Sequence, residues 1–157
     1  MKIEKAKLKD MHKIWEIYFS SSIDEVHTQY PSVPAKEIMR RMNLKKSKIV
    51  KAFKKSIGSK YGYLIVVLEE KEIIAFGEAG INKMFNDEGT VKKVYVKKEF
   101  RKKGIAKKIL EELFKWFKQN KIKRIFSDLY VKNIPSKKLH EKFGFHINAI
   151  SMEKKTK

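Results

Sequence analysis

The chain of 157 residues contains no cysteine. That excludes disulfides, a thiolate metal site and a cysteine nucleophile. Its four histidines, His12, His27, His140 and His146, show neither paired nor HExxH spacing, so no metal site is expected. Proline occurs three times and glycine seven, which leaves few residues for sharp turns. No apolar run approaches the ~18 residues that a membrane span needs. The opening Met-Lys-Ile-Glu-Lys lacks the apolar core of a signal peptide. A soluble, cytoplasmic protein with no membrane partner is the expectation. Acidic residues are also scarce: 18 Asp and Glu stand against 38 Lys and Arg, a formal net charge of +20.

What is present argues for a folded globule. Hydrophobic residues make up 42% of the chain and aromatics 11%, and the length suits one domain over residues 1–157. The positive charge is concentrated. Lys92 to Arg124 holds 14 Lys or Arg and three acids. A nucleic-acid partner is the first thought for such a balance. No RNP1-like aromatic motif supports it, so that partner is possible but not favoured. The alternative for the remaining lysines is a solvated surface.

Hydrophobic periodicity predicts the elements. Residues 2–8 alternate as a strand. Asp10 is a plausible helix cap before Ile14, Trp15, Ile17 and Tyr18, with Ser20-Ser21-Ser22 weakening that helix and Pro31 and Pro34 bracketing a loop. One or two helices follow, from Ile38 to Gly58, with Met39 and Met42 as core or pocket fillers. "YLIVVLEE" and "EIIAFGEAGI" read as strands joined by a tight turn at Glu70-Lys71, and "TVKKVYV" as a third. A helix from about Gly104 to Lys118, a strand "IKRIFSDLYV", a short helix near Ser136–Phe143 and a closing strand from Phe145 into "AISMEKK" complete the chain. Trp15, Trp116 and Phe117 sit at helix-core spacings. The class is α+β: a mixed, mainly antiparallel central sheet flanked by helices, in the order β-α-α-β-β-β-α-β-α-β.

The stretch "VYVKKEFRKKGIAKKIL", Val94 to Leu110, crowds cations where a helix starts. The helix macrodipole makes that end unfavourable for cations. The unpaired N–H groups of a helix start do bind anions, and Gly104 permits close approach and unusual backbone angles. A docked polyphosphate would satisfy both the N–H groups and the lysines. The Walker and GxGxxG patterns are absent. Arg101-x-x-Gly104-x-Ala106, after a strand and opening a helix, resembles the acetyl-CoA signature of the GNAT N-acetyltransferase superfamily. "NIPSKKLHEKFGF", Asn133 to Phe145, resembles that family's second motif, and the element order is similar over nearly the whole chain.

The resemblance implies an acyltransferase that moves an acetyl group from acetyl-CoA, its cosubstrate, to a primary amine of a small molecule or protein. Backbone groups of the Val94-Tyr95-Val96 strand would bind the pantetheine arm. Arg101, Lys102, Lys103, Gly104, Ile105, Ala106 and Lys107 would wrap the pyrophosphate, and Asn133 and Ser136 would hold the far side. Asn133 also suits a helix cap before Pro135. A homodimer is possible, as is a CoA-binding protein of this fold that has lost catalysis.

Acetyl transfer needs a neutral amine, stabilisation of the carbonyl oxygen and a proton for the departing thiolate. Without cysteine, direct attack on the thioester is expected. The family commonly places a tyrosine acid where this chain has His140; histidine can serve, since it titrates near neutrality. Tyr95 and Tyr130 are less aligned alternatives. Where relatives often carry a glutamate base, this chain has Thr90 and Lys92, so Glu78 on the preceding strand is the substitute candidate. Asp24, Glu25 and His27 fall in the region that lines the acceptor site in relatives, although ordinary loop polarity also accounts for them. The acceptor is not identified; the surface charge favours acidic proteins or neutral small amines over polyamines.

Overall fold

The computed structural model describes residues 1–42, 45–152 and 154. Its strands are β1 (Lys2–Lys5), β2 (Gly62–Glu69), β3 (Glu72–Ile81), β4 (Glu88–Val96) and β5 (Arg124–Ser127). Its α-helices are α1 (Met11–Gln29), α2 (Ala35–Met42), α3 (Lys46–Ser56), α4 (Ile105–Gln119) and α5 (Ile134–Lys142), with single 3-10 turns at Leu8–Asp10 and Lys98–Phe100. The strands form one sheet in sequence order, β1-β2-β3-β4-β5. The first three pairings are antiparallel and β4–β5 is parallel. The expected class, a mixed and mainly antiparallel sheet flanked by helices, is the class observed. Among the described residues no helix is long and apolar enough to cross a membrane.

β2 shows why its sequence is a continuous apolar run. Successive strand side chains point to opposite faces, and both faces of this sheet are covered. Leu64 and Val66 pack with Ile14, Ile17, Tyr18 and Phe53 under α1 and α3. Ile65 and Val67 pack with Ile109, Leu110, Leu113 and Phe117 of α4 on the other face. Gly77 sits where α4 comes down on β3: a Cβ there would stand 2.4 Å from Ile109 Cγ2. The β2–β3 turn holds Glu70 and Lys71 at φ 48° and 74°, the positive-φ pair that matches strand twist in a two-residue hairpin.

The structure departs from the sequence reading at several elements, beginning with β1, which ends at Lys5 rather than at Leu8. Helix α1 runs through the serines to Gln29, so Asp24, Glu25 and His27 are helical rather than in a loop. Ser20 bonds back to the Glu16 carbonyl (3.1 Å), and Ser21 and Ser22 are buried on the core side. Asp10 makes no side-chain bond to α1; its carboxylate accepts instead from the Lys7 N–H (2.7 Å). Met39 is exposed, and Ile38 is the residue of α2 that enters the core. The expected closing strand does not form: 145–152 are irregular, while Glu153 and Lys155 lie outside the described residues. Phe145 packs on Phe114 and His140, after which Ile147, Ile150 and Met152 are exposed. Without burial those apolar side chains supply no drive for pairing.

Candidate active site

The site begins with a split in the sheet. β5 pairs with β4 only from Glu88↔Arg124 to Val91↔Ser127. β4 continues five residues beyond that point, to Val96, without a partner on this side. The expected longer strand "IKRIFSDLYV" is cut to four residues for this reason. A bulge helps to open the split. Glu78 pairs with Lys93 and Ala79 with Val91, which leaves Lys92 as an extra residue that bends β4.

Backbone alternation then turns the end of β4 into a binding edge. Lys97 N–H donates to the Ile74 carbonyl across β3 (2.9 Å). Antiparallel pairing alternates, so the polar groups of Val94 and Val96 face the split. The Val96 carbonyl accepts from Arg101 Nε (3.0 Å), and Arg101 Nη2 lies 3.0 Å from Asp24 of α1. The Arg101 side chain is therefore engaged with strand and helix, and does not reach out over the loop.

Beyond Arg101 the loop is open. Lys102 and Gly104 adopt φ 63° and 76°. Gly104 is the N-cap of α4, with no side-chain cap and no acid in the first turn. The first intrahelical bond there is Lys108 N–H to the Gly104 carbonyl, so the N–H groups of Ile105, Ala106 and Lys107 remain available. A Cβ on Gly104 would meet nothing within 4 Å. Lys103 lies over the Phe100 ring and Lys107 pairs with Glu111 at 3.7 Å. The arrangement is an uncapped helix start facing open space, ringed by cations, which is the chemistry of a phosphate cradle.

His140 lies across the split on α5, and is 4% exposed. Its Nδ1 stands 2.9 Å from the Ser136 carbonyl and its Nε2 3.1 Å from Ser127 Oγ. A carbonyl only accepts, so Nδ1 carries a hydrogen and Nε2 is the exchangeable position. Neutral, His140 accepts from Ser127; protonated, it donates to it. Ser127 ends β5 where pairing with β4 stops. This hydroxyl was missed from sequence, since nothing in "RIFSDLY" marks it as a partner of residue 140.

Asn133 caps α5: its Oδ1 accepts from the Ser136 N–H at 3.3 Å. Its Nδ2 reaches Glu25 of α1 at 3.5 Å. Glu25 also accepts from the Tyr95 hydroxyl (2.8 Å), which receives a further bond from Ser22 at 3.4 Å. The Tyr95 phenol is held well above its ordinary range, first by burial and then by the Glu25 carboxylate. The phenol thus ties α1 to β4. Tyr130 is raised as well, mainly by burial.

Glu78 is 6% exposed, on the face of β3 beneath α3. Its Oε1 accepts from Ser56 Oγ at 2.7 Å and lies 3.8 Å from Lys92 Nζ. It lines a cavity of about 600 Å³ whose walls also include Tyr61, Thr90 and Asp128. The cavity wall reaches the split in the sheet at Val91, where pairing with β5 ends, and at Lys93 and Asp128, the chain neighbours of Val94 and Ser127. Glu78 and His140 belong to opposite faces of the sheet.

A split parallel strand pair beside an uncapped, phosphate-ready helix start defines an acyltransferase framework. The chain belongs to the Acetyltransferase (GNAT) family, whose model matches residues 11–145. It is similar in fold to the PaiA N-acetyltransferase of Thermoplasma acidophilum in complex with coenzyme A, with TM-score 0.78 and 19% identity over 96% of this chain and 92% of that one. A tetramutant of the Bacillus halodurans BH1408 protein gives TM-score 0.76 and 18% identity, covering 99% and 100%. The aminoglycoside 6'-N-acetyltransferase AAC(6')-Ig of Acinetobacter haemolyticus gives 0.69 and 18%, covering all of both chains. No curated protein matches the chain.

Proposed function

We propose that this acyltransferase is an N-acetyltransferase that uses acetyl-CoA and a primary amine. The observation that carries the reading is the split in the sheet, with an open α4 cradle, an unpaired β4 edge, and a Glu78 cavity walled by Val91, the last β4 residue paired with β5. The cradle fits a pyrophosphate: three backbone donors, unblocked space at Gly104 and flanking lysines. The edge at Val94 and Val96 suits the amides of a pantetheine arm, with the Asn133-capped start of α5 opposite. The coenzyme A complex of the PaiA enzyme, a protein of similar fold, supports this assignment.

In this reading Glu78 takes a proton from the acceptor ammonium. The neutral amine nitrogen then bonds to the thioester carbonyl carbon and the carbon–sulfur bond breaks. The thiolate is protonated by Ser127 Oγ, which is resupplied by protonated His140 Nε2. The Ser136 carbonyl holds the imidazole in the orientation that this relay requires. Starting from the ammonium, the nitrogen loses two protons, one to Glu78 before attack and one once the carbon–nitrogen bond has formed; the thiolate takes up one and the other passes to solvent.

Calorimetric titration with acetyl-CoA at low and moderate salt, on the wild type and Gly104→Glu, tests the cradle. One-site binding that survives moderate salt and is lost in the variant is expected. Binding indistinguishable from that of any polyanion, abolished by modest salt, would overturn the reading, because nucleic-acid-like affinity falls steeply with salt. Release of free CoA with an amine panel then separates an enzyme from a CoA-binding protein of this fold.

A further inference from the structure

The acceptor cavity carries more positive charge than an amine-binding site needs. Four lysines, Lys55, Lys83, Lys92 and Lys93, line it against two carboxylates, Glu78 and Asp128. Lys92 is matched by Glu78 at 3.8 Å. Lys55, Lys83 and Lys93 take part in none of the ion pairs among the described residues. Lys83 and Lys93 instead lie over aromatic rings, 5.4 Å from the Tyr61 centroid and 5.1 Å from that of Tyr18. These three lysines come from separate elements, α3, the β3–β4 loop and β4, so chain proximity does not explain their presence around one concavity.

A purely cationic acceptor entering this space meets like charges at short range. Such like-charge pairs repel, and more strongly near a protein surface than in bulk water. An acceptor that carries its own anionic group removes that penalty and gains charge-assisted hydrogen bonds. A cavity of about 600 Å³ is the size of a small-molecule site. We propose that the acceptor is a small amine that also bears a carboxylate or phosphate, with the anionic end on Lys55, Lys83 and Lys93 and the amine end at Glu78. This rests on the N-acetyltransferase reading above and narrows its substrate class.

The test uses the full-length protein and matched amines: ethanolamine, β-alanine, phosphoethanolamine and ethylenediamine, with a parallel set on an aromatic scaffold. CoA release gives kcat/KM, and calorimetry on the free protein gives affinity without turnover. The expected result is a preference of at least about tenfold for the anionic members over the neutral one, and a larger one over the dication, about 1.4 kcal/mol per tenfold step. The β-alanine and phosphoethanolamine arms distinguish carboxylate from phosphate. Lys55→Glu combined with Lys83→Glu is expected to abolish the preference; Lys55→Gln with Lys83→Gln, a milder change, should weaken it. Best turnover with the neutral or dicationic member overturns the inference and leaves the acetyltransferase reading intact. Lysine-dependent binding of anionic amines without turnover defeats that reading and the acceptor assignment with it, and leaves only an anion-binding cavity. Neither binding nor turnover of any member overturns both.

Discussion

The proposed cofactor cradle and the proposed acceptor cavity are built in opposite ways. The cradle is a single run of chain, from Val94 through Lys107, and its working groups are mostly backbone N–H and C=O. The cavity is assembled from α3, β2, β3, β4 and the residue after β5, and its working groups are side chains. A backbone site depends on local geometry, so one glycine at φ 76° governs it. A side-chain site depends on which distant elements the fold brings together. The difference teaches that the two halves should fail separately when mutated.

The largest effects are expected at the two centres. Gly104→Glu is expected to lower acetyl-CoA affinity at least about 100-fold, equivalent to about 2.7 kcal/mol, as read by calorimetry. Gly104→Ala adds no clash and no charge, so only the strain of a left-handed residue remains, about 1–2 kcal/mol in denaturant unfolding. Glu78→Gln is expected to cut kcat about 100-fold while leaving acetyl-CoA affinity unchanged. Should Glu78→Gln weaken acetyl-CoA binding as strongly as Gly104→Glu does, the two regions are not independent and the comparison fails.

Smaller effects are expected at the residues that tie these regions to the rest of the fold. Tyr95→Phe keeps the β4 backbone edge and removes the bond to Glu25, and should cost about 1–3 kcal/mol of stability with acetyl-CoA affinity retained. Ser127→Ala should lower kcat about tenfold, the remainder being carried by water in its place, and should shift the alkaline limb of the pH–rate profile. An unchanged profile would remove Ser127 from the relay. The smallest effect lies away from both sites. The Tyr63 hydroxyl donates to Glu112 at 3.3 Å, and its phenol is pushed up to about 12, first by burial and then by the Glu112 charge. An unfolded tyrosine titrates near 10. The protonated phenol therefore supports the folded state fully below pH about 10, and that support is lost as pH rises through about 12. Spectrophotometric titration of Tyr63→Phe should show one phenolate missing from the late-titrating group and none from the early one.

Legibility follows the same division. The hairpin at Glu70-Lys71, the β4 strand and the α4 start were all readable, because each rests on periodicity or on a spacing within a few residues. The cap role of Asn133 was readable beside Pro135 for that reason too. The length of β5 was not, because it depends on where β4 bends away. The continuation of α1 through three serines was hidden as well, since burial against the sheet and bonds back to its own turns override a weak propensity. His140 stood out in sequence as a departure from a family pattern. Its partner Ser127 did not, because 13 residues and a change of element separate them.

The α+β class, the order of most elements, the cation-rich turn at Gly104 and the likeness to the GNAT family are written in the local sequence. All of these follow from local periodicity and short spacings, which a chain carries wherever it folds. Tertiary structure decided the rest. It split β4 from β5, locked the Arg101 side chain onto Val96 and Asp24, buried His140 against Ser127, and brought three lysines to the cavity that holds Glu78. These are contacts between residues far apart in the chain. They exist only because burying both faces of the sheet fixes where each element ends and which side chains it turns inward.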